Sequence, residues 1–162
     1  MKELRKRLEE AESLGEIFKV VKKAVQEVLG VRRAGLQLAL TDLPDKVKAL
    51  HKLGTNLIIM NKKTVSSLLS SRKPRLEVNA YIFSILLHEY IKSFGVLDDE
   101  EVRALSLKVL RETLGEDEAY EMAFREIAEY PPELGEEELN YRLDGKFELV
   151  EDFDLDNTHY IG

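Results

Sequence analysis

Hydrophobic positions along the chain recur mostly at the three- and four-residue spacing of α-helices. A clear example lies between residues 17 and 28, where an apolar stripe follows Ser13 and Glu16 in a capping-box arrangement and Gly30 ends it. Such a stripe is typical of a helix that packs one face on a core. The same reasoning predicts helices over residues 2–12, 13–30, 64–70, 78–95, 98–115 and 117–130.

Other stretches have the composition of strands. Residues 34–40 alternate loosely, and residues 55–61 combine apolar and β-branched side chains between two asparagines. Residues 139–150 predict a hairpin, because Asp144-Gly145 suits a type I′ turn. Residues 46–54 fit neither the helical spacing nor the alternation of a strand. We therefore expect an α+β fold that is mostly helical, with a short sheet packed on the helix that contains His88.

Length and composition indicate one globular domain. The chain has 162 residues, of which 44% are hydrophobic and 34% charged, and this suits a single core. We divide it into N-terminal helices (1–30), a core (33–130) and a hairpin with an acidic tail (131–162). The net charge of −7 argues against a nucleic-acid partner. The absence of cysteine excludes disulfides and thiolate chemistry.

The apolar segments are too short to predict membrane insertion. None approaches the roughly 18 residues that a membrane span requires. The N-terminus is charged from Lys2 onward, which is unlike a secretory signal, so we expect a cytoplasmic protein. The bias toward Lys and Glu is common in proteins of thermophiles. The sequence leaves the oligomeric state open.

The most apolar segment, residues 82–95, also carries the most distinctive polar pair. Its apolar residues recur at helical spacing and leave little polar surface, so we expect a buried helix. His88 and Glu89 lie in its middle and need partners there. The pattern His88-Glu89-x-x-Lys92 differs by one residue from His-Glu-x-x-His. In that motif two histidines grip one zinc ion and the glutamate is the general base.

This segment, together with the strand 55–61, resembles the zincin metallopeptidases, in particular the gluzincins and compact archaeal members of the group. The order of strand, short helix, active-site helix and following helix also agrees, over roughly residues 33–115. The resemblance implies that His88 is a metal ligand and that Glu89 is catalytic if the protein is active. It also implies that residues 55–61 form the edge strand that binds extended substrates, through Asn56, Ile58 and Asn61.

A third metal ligand has two candidates. Gluzincins take a glutamate from the next helix, where Glu101 and Glu112 compete. The short turn at 95–97 predicts an antiparallel helix hairpin in which residues 101–105 face residues 88–92, while Glu112 lies two to three turns away at about 1.5 Å per residue. We therefore prefer Glu101 if a metal binds. A helix-dipole role for Glu101 is the alternative, and His159 in the tail is a more distant candidate.

Lys92 stands where the second histidine should be. Holding a lysine of reference pKa ~10.4 neutral at pH 7 costs about 4.6 kcal/mol, at 1.36 per pKa unit. Zinc sites overwhelmingly use Cys, His and carboxylates. We therefore expect the ammonium of Lys92 to replace the metal, by pairing with Glu89, Glu101 or both, and no cofactor to be bound.

Three functional hypotheses follow from this substitution. The first is an inactive or impaired peptidase homologue that binds an extended peptide or protein partner by strand addition. The second is an active zinc-dependent peptidase with other ligands, and the third is a structural protein of unknown role. His51 is expected at the surface, and the acids of residues 152–157 are expected to be solvated. Four aromatic residues of the tail are expected to anchor the tail to the domain: Tyr141, Phe147, Phe153 and Tyr160.

Overall fold

The computed structural model describes residues 2–52, 54–115, 118–130 and 148–154, and these form an α+β fold. The helices are α1 (Lys2–Glu10), α2 (Leu14–Leu29), α3 (Lys62–Leu69), α4 (Arg75–Lys92), α5 (Asp99–Leu114) and α6 (Glu118–Ala128). The strands are β1 (Gln37–Thr41), β2 (Ala49–His51), β3 (Leu57–Asn61) and β4 (Glu148–Leu149). The predicted α+β class is thereby confirmed. Within the described ranges, no helix combines the length and apolar character needed to cross a membrane.

The ends of the helices mostly follow the predicted capping residues. The Glu16 backbone N–H donates to Ser13 Oγ at 3.1 Å, and Gly30 ends α2 in the left-handed region at φ 73°. The Glu16 carboxylate accepts from the Glu12 N–H at 2.6 Å instead of from Ser13. The helix predicted over residues 64–70 begins two residues earlier, at Lys62, because Asn61 precedes it and its side chain accepts from the Lys63 N–H.

The four strands form a mixed sheet in the order β2-β3-β1-β4. β3 pairs in parallel with β1 on one side and antiparallel with β2 on the other. The prediction that residues 55–61 form an edge strand is therefore wrong. β2 lies within residues 46–54, which showed no period, and it covers the edge that was expected to be free. The continuous apolar run of β3 is typical of an inner strand buried on both faces.

The three residues expected to contact a substrate have structural roles instead. Ile58 is fully buried, and the Asn56 side-chain amide donates to the Gly35 carbonyl at 2.7 Å. Asn61 is also buried and secures the loop between β1 and β2. Its amide donates to the carbonyls of Leu43, Pro44 and Val47 at 3.2, 3.2 and 2.9 Å.

Helix α4 runs through the middle of the core. Fourteen of its 18 residues are buried, so nearly the whole circumference of the helix is covered. It packs against α1, α2, α5 and α6, and its main contact with the sheet is with β2. A helix enclosed in this way buries every polar residue it carries, and each of those needs a partner from a neighbouring element.

Residues 148–154 dock on the N-terminal half of the chain. β4 pairs antiparallel with β1, and the Phe153 ring stacks on Phe18 at 4.2 Å between centroids. The Asp154 carboxylate accepts from Lys22 Nζ at 2.6 Å and from the Leu36 N–H at 3.0 Å. Phe153 is thus confirmed as an anchor. The prediction of a solvated Asp154 is wrong, since its side chain is 1% exposed and neutralised by Lys22.

A close backbone approach holds the same segment against the start of α2. A Cβ atom added at Gly15 would lie 2.5 Å from the Asp152 carbonyl oxygen, so a larger residue forces the backbones apart. Asp152 itself adopts a positive φ of 55°. The turn of the predicted hairpin at Asp144-Gly145, the anchors Tyr141, Phe147 and Tyr160, and His159 lie outside the described residues.

Candidate functional site

His88 and Glu89 lie side by side on α4 beneath the aromatic ring of Tyr130. His88 is 3% exposed and Glu89 is completely buried. The Tyr130 ring stacks on the imidazole, with 3.8 Å between centroids and 16° between the planes. Its hydroxyl donates to Glu89 Oε2 at 2.7 Å. One side chain, placed just beyond the end of α6, therefore contacts both members of the pair and separates them from solvent.

The imidazole of His88 is held in its neutral form. Burial, followed by the nearby positive charges of Lys92 and Arg103, lowers the pKa of His88 from 6.5 to about 3. Its Nδ1 atom has no hydrogen-bond partner among the described residues. At neutral pH this side chain is an uncharged aromatic ring stacked on a second ring.

Lys92 is buried at the last turn of α4 and lies at the rim of this cluster. Its Nζ atom is 3.8 Å from Asp99 Oδ1, on the first turn of α5. The Asp99 side chain is 66% exposed, so the ion pair is partly screened by water. The ammonium also lies close enough to His88 to lower the imidazole pKa.

The structure places Glu101 away from this cluster. Glu101 is exposed, whereas the adjacent Val102 is fully buried. Two residues along a helix correspond to a rotation of about 200°, so Asp99 and Glu101 point to nearly opposite sides of α5. The expectation that Glu101 faces His88 and pairs with Lys92 is therefore wrong, and Asp99 makes that ion pair. Glu112 is exposed as well.

A second, partly buried polar cluster surrounds Tyr81, which lies two helical turns before His88 on α4. Lys48, which precedes β2, forms an ion pair with Glu126 of α6, and its Nζ atom lies 5.0 Å from the centroid of the Tyr81 ring. Burial alone would lower the pKa of Lys48, but its hydrogen bonds to Glu126 and Tyr81 outweigh burial and raise it. Burial is the main cause that raises the pKa of Tyr81.

This ion pair joins the loop before β2 to α6. Sequence reasoning missed it because Lys48 belongs to the stretch without a period and Glu126 resembles an ordinary surface residue of α6. The available signal was the position of Tyr81, which is seven residues before His88 and therefore on the same helix face. His51 was also misplaced. It is 6% exposed, with Nε2 2.9 Å from the Thr55 carbonyl oxygen.

The donor atoms around His88 do not fit a zinc site of the zincin type. Within the part of the chain that the structure describes, no group of three or more histidine, aspartate and glutamate side chains is arranged to hold a metal ion. The position of the second histidine carries the cation Lys92, and the predicted third ligand Glu101 points elsewhere.

Comparison with known proteins supplies no assignment for this site. No protein-family model matches the chain, and neither the curated proteins nor the solved structures yield a match. The resemblance to zincins therefore depends on the His88-Glu89 pair, on its apolar helix and on the adjoining sheet. Chemically, the enclosed cluster suits packing and hydrogen bonding, since a general base must reach a water molecule and Glu89 is fully buried.

Proposed function

We propose that this protein is a catalytically inactive zincin-like domain that acts by binding a peptide or protein partner. In this domain His88 and Glu89 stabilise the fold. The observation that carries the proposal is the position of Tyr130. Its hydroxyl donates a hydrogen bond to Glu89, which matches the carboxylate that a peptidase uses to activate water, and its ring covers the His88 imidazole. Both groups that a zincin exposes to its substrate are used here inside the core.

The charges around the imidazole support the same proposal. Lys92 and Arg103 both lower the pKa of His88, so a metal ion at this imidazole would enter against two positive charges. Lys92 thus replaces the cation that the motif would otherwise hold. Strand addition along residues 55–61 is not part of the proposal, since β3 is an inner strand.

Metal analysis of the purified protein tests the proposal directly. After incubation with zinc and gel filtration, the wild-type chain should retain less than about a tenth of an equivalent, because the donor set for a stable site is missing. One bound equivalent, together with peptide hydrolysis that Glu89→Gln abolishes, would contradict an inactive domain.

The variant Lys92→His tests the zincin-like part separately. It restores the full motif, and we expect it to bind zinc more tightly than the wild type. Lys92→Met is the matched control, because it removes the same charge without adding a ligand. Equal zinc affinity in the two variants would show that the geometry of a zincin site is absent, even if the wild type is inactive.

An active zinc peptidase is the second candidate, and one observation favours it. The imidazole of His88 is neutral at pH 7, which is the form that binds metals, and its Nδ1 atom has no partner among the described residues. An active peptidase requires the hydrogen bond from Tyr130 to Glu89 to break, so that Glu89 can reach water. Tyr130→Ala should then raise both zinc binding and hydrolysis, whereas the inactive domain gains neither.

A further inference from the structure

An open cleft lies at the opposite end of α4 from His88. It has a volume of about 460 Å³ and lies between the α1–α2 junction and the α3–α4 connection. Small-molecule sites typically measure about 300–1,000 Å³ and have mostly apolar walls. Leu69 at its mouth is 70% exposed, an unusual position for a leucine. The apolar lining consists mainly of Leu14, Ile17, Leu68, Leu69, Val78 and Ile82.

Three charged side chains line the cleft, and two of them are cations. Lys73 and Arg75 line it from the start of α4 and the loop before it, and Glu12 faces them from the α1–α2 junction. Arg75 Nη1 lies 3.7 Å from Glu12 Oε1, but both side chains are more than half exposed, so their ion pair is weak. The charged side chains that line the cleft therefore have a positive net charge, in a chain whose total charge is −7.

The backbone adds to the positive charge of this mouth. α4 begins after Pro74, which provides no side-chain cap, and the first N–H group of the helix with an intrahelical acceptor is that of Val78. The preceding N–H groups lie at the positive end of the dipole of an 18-residue helix. The cleft thus combines an apolar floor with a mouth that favours an anion.

We propose that this cleft binds a small carboxylic acid with an apolar body, of the size of a medium-chain fatty acid. The hydrocarbon packs on the leucine and isoleucine floor, and the ionised carboxylate lies between Lys73 and Arg75. This site goes beyond the function proposed above and does not depend on it. Its first residue on α4 is 13 residues from His88, which is about 20 Å along the helix.

Glu12 gives the proposed site a competitor within the chain. Its carboxylate already lies near Arg75, so a ligand carboxylate must share or displace it. Glu12→Gln removes that negative charge while keeping the shape of the side chain. We therefore expect this variant to bind the ligand several-fold more tightly than the wild type, at low ionic strength.

Calorimetric titration of the full chain with sodium decanoate, below its micelle concentration, tests the proposal. Saturable one-to-one binding is expected for decanoate, with weaker binding of decanol and none of butyrate. Because the chain has no tryptophan, Leu69→Trp places a single indole at the mouth of the cleft, and its emission should shift on binding. No binding of decanoate, or equal binding of decanol, would overturn the proposal.

Charge variants locate the bound carboxylate. Lys73→Ala and Arg75→Ala should each weaken decanoate binding about two- to fivefold, as for loss of a partly exposed ion pair. Arg72→Ala is the matched control, since Arg72 is a cation of the same loop that does not line the cleft. Equal affinities of all three variants and the wild type would place the ligand elsewhere and overturn the site.

Discussion

The surroundings of the two ends of α4 depart from the usual burial of side chains in opposite directions. At the C-terminal end, His88, Glu89 and Lys92 are buried, although such polar residues are usually exposed. At the N-terminal end, Leu69 of the neighbouring α3 is 70% exposed at the mouth of an open cleft, although leucine is usually buried. The pair that most resembles catalytic machinery is therefore built into the core, while a stretch with no recognisable motif forms the open surface.

The difference follows from what each end packs against. The C-terminal end packs against α5 and the segment that follows α6, which supply Asp99 and Tyr130 as partners. At the N-terminal end the loop before α4 leaves the first turn without a side-chain cap. Removing a partner should therefore be costly at the closed end and almost without effect at the open end.

The largest contrast is expected from truncating one side chain at each end. Tyr130→Ala should lower the free energy of unfolding by about 3–5 kcal/mol, because it removes a buried aromatic ring and leaves a cavity over His88. Leu69→Ala at the open end should stay within about 0.5 kcal/mol. Urea unfolding of both variants measures this, and equal losses would show that Tyr130 does not seal the cluster.

Acid should destabilise the closed end through His88. The folded-state pKa of about 3 lies below the unfolded value near 6.5, so above pH 6.5 the residue is neutral in both states and has no effect. As the pH falls from 6.5 toward 3, only the unfolded chain takes up the proton, and stability is lost. At pH 4.5 the loss is about 2.7 kcal/mol, at 1.36 per pKa unit.

Comparison with His88→Gln isolates this contribution, since glutamine does not titrate. The carboxylates of the chain titrate alike in both proteins. The unfolding free energy of the wild type should fall more steeply than that of the variant between pH 6.5 and 4.5. Parallel pH profiles would mean that the imidazole is protonated as readily in the fold as in the unfolded chain.

A smaller loss is expected when only the hydroxyl of Tyr130 is removed. Tyr130→Phe keeps the ring on His88 but leaves Glu89 Oε2 without this donor, which should cost about 1–3 kcal/mol. Glu89→Gln is informative beside it, because the amide oxygen still accepts from Tyr130. Unfolding curves for Tyr130→Phe that coincide with the wild type would contradict a hydrogen bond of this importance.

The smallest effect on stability is expected at the mouth of the cleft. Glu12→Gln breaks only an exposed ion pair with Arg75, so the unfolding free energy should change by less than about 1 kcal/mol. Thermal unfolding checks this directly. A large loss of stability would mean that the open end, too, depends on its polar contacts, and the contrast between the two ends would disappear.

The sequence predicted the helices well because their signals are local. Ser13 and Gly30 each act within a few residues of the helix they limit, and the structure confirms both. The inner position of β3 was not predictable, because it depends on β2, whose three residues are too few to show a period. Pairing between distant residues carries no such local signal.

The candidate site shows the same limit. The burial of His88 and Glu89 followed from the apolar residues around them, and the structure confirms it. Their partner Tyr130 is 41 residues from Glu89 along the chain, and nothing near Tyr130 indicates the contact. Glu101 was preferred over Asp99 by counting residues across a turn, where an error of two reverses the face of the helix.

Residues 148–154 impose an order on the biogenesis of this fold. Asp154 neutralises Lys22 across 132 residues of chain, and Phe153 stacks on Phe18. During synthesis the ribosome releases α2 long before it makes either residue, so a nascent α2 lacks the Asp154 carboxylate beside Lys22 and the Phe153 ring over Phe18. The N-terminal helices reach their native environment only after residues 153 and 154 have been synthesised, and chaperones have that interval in which to bind them.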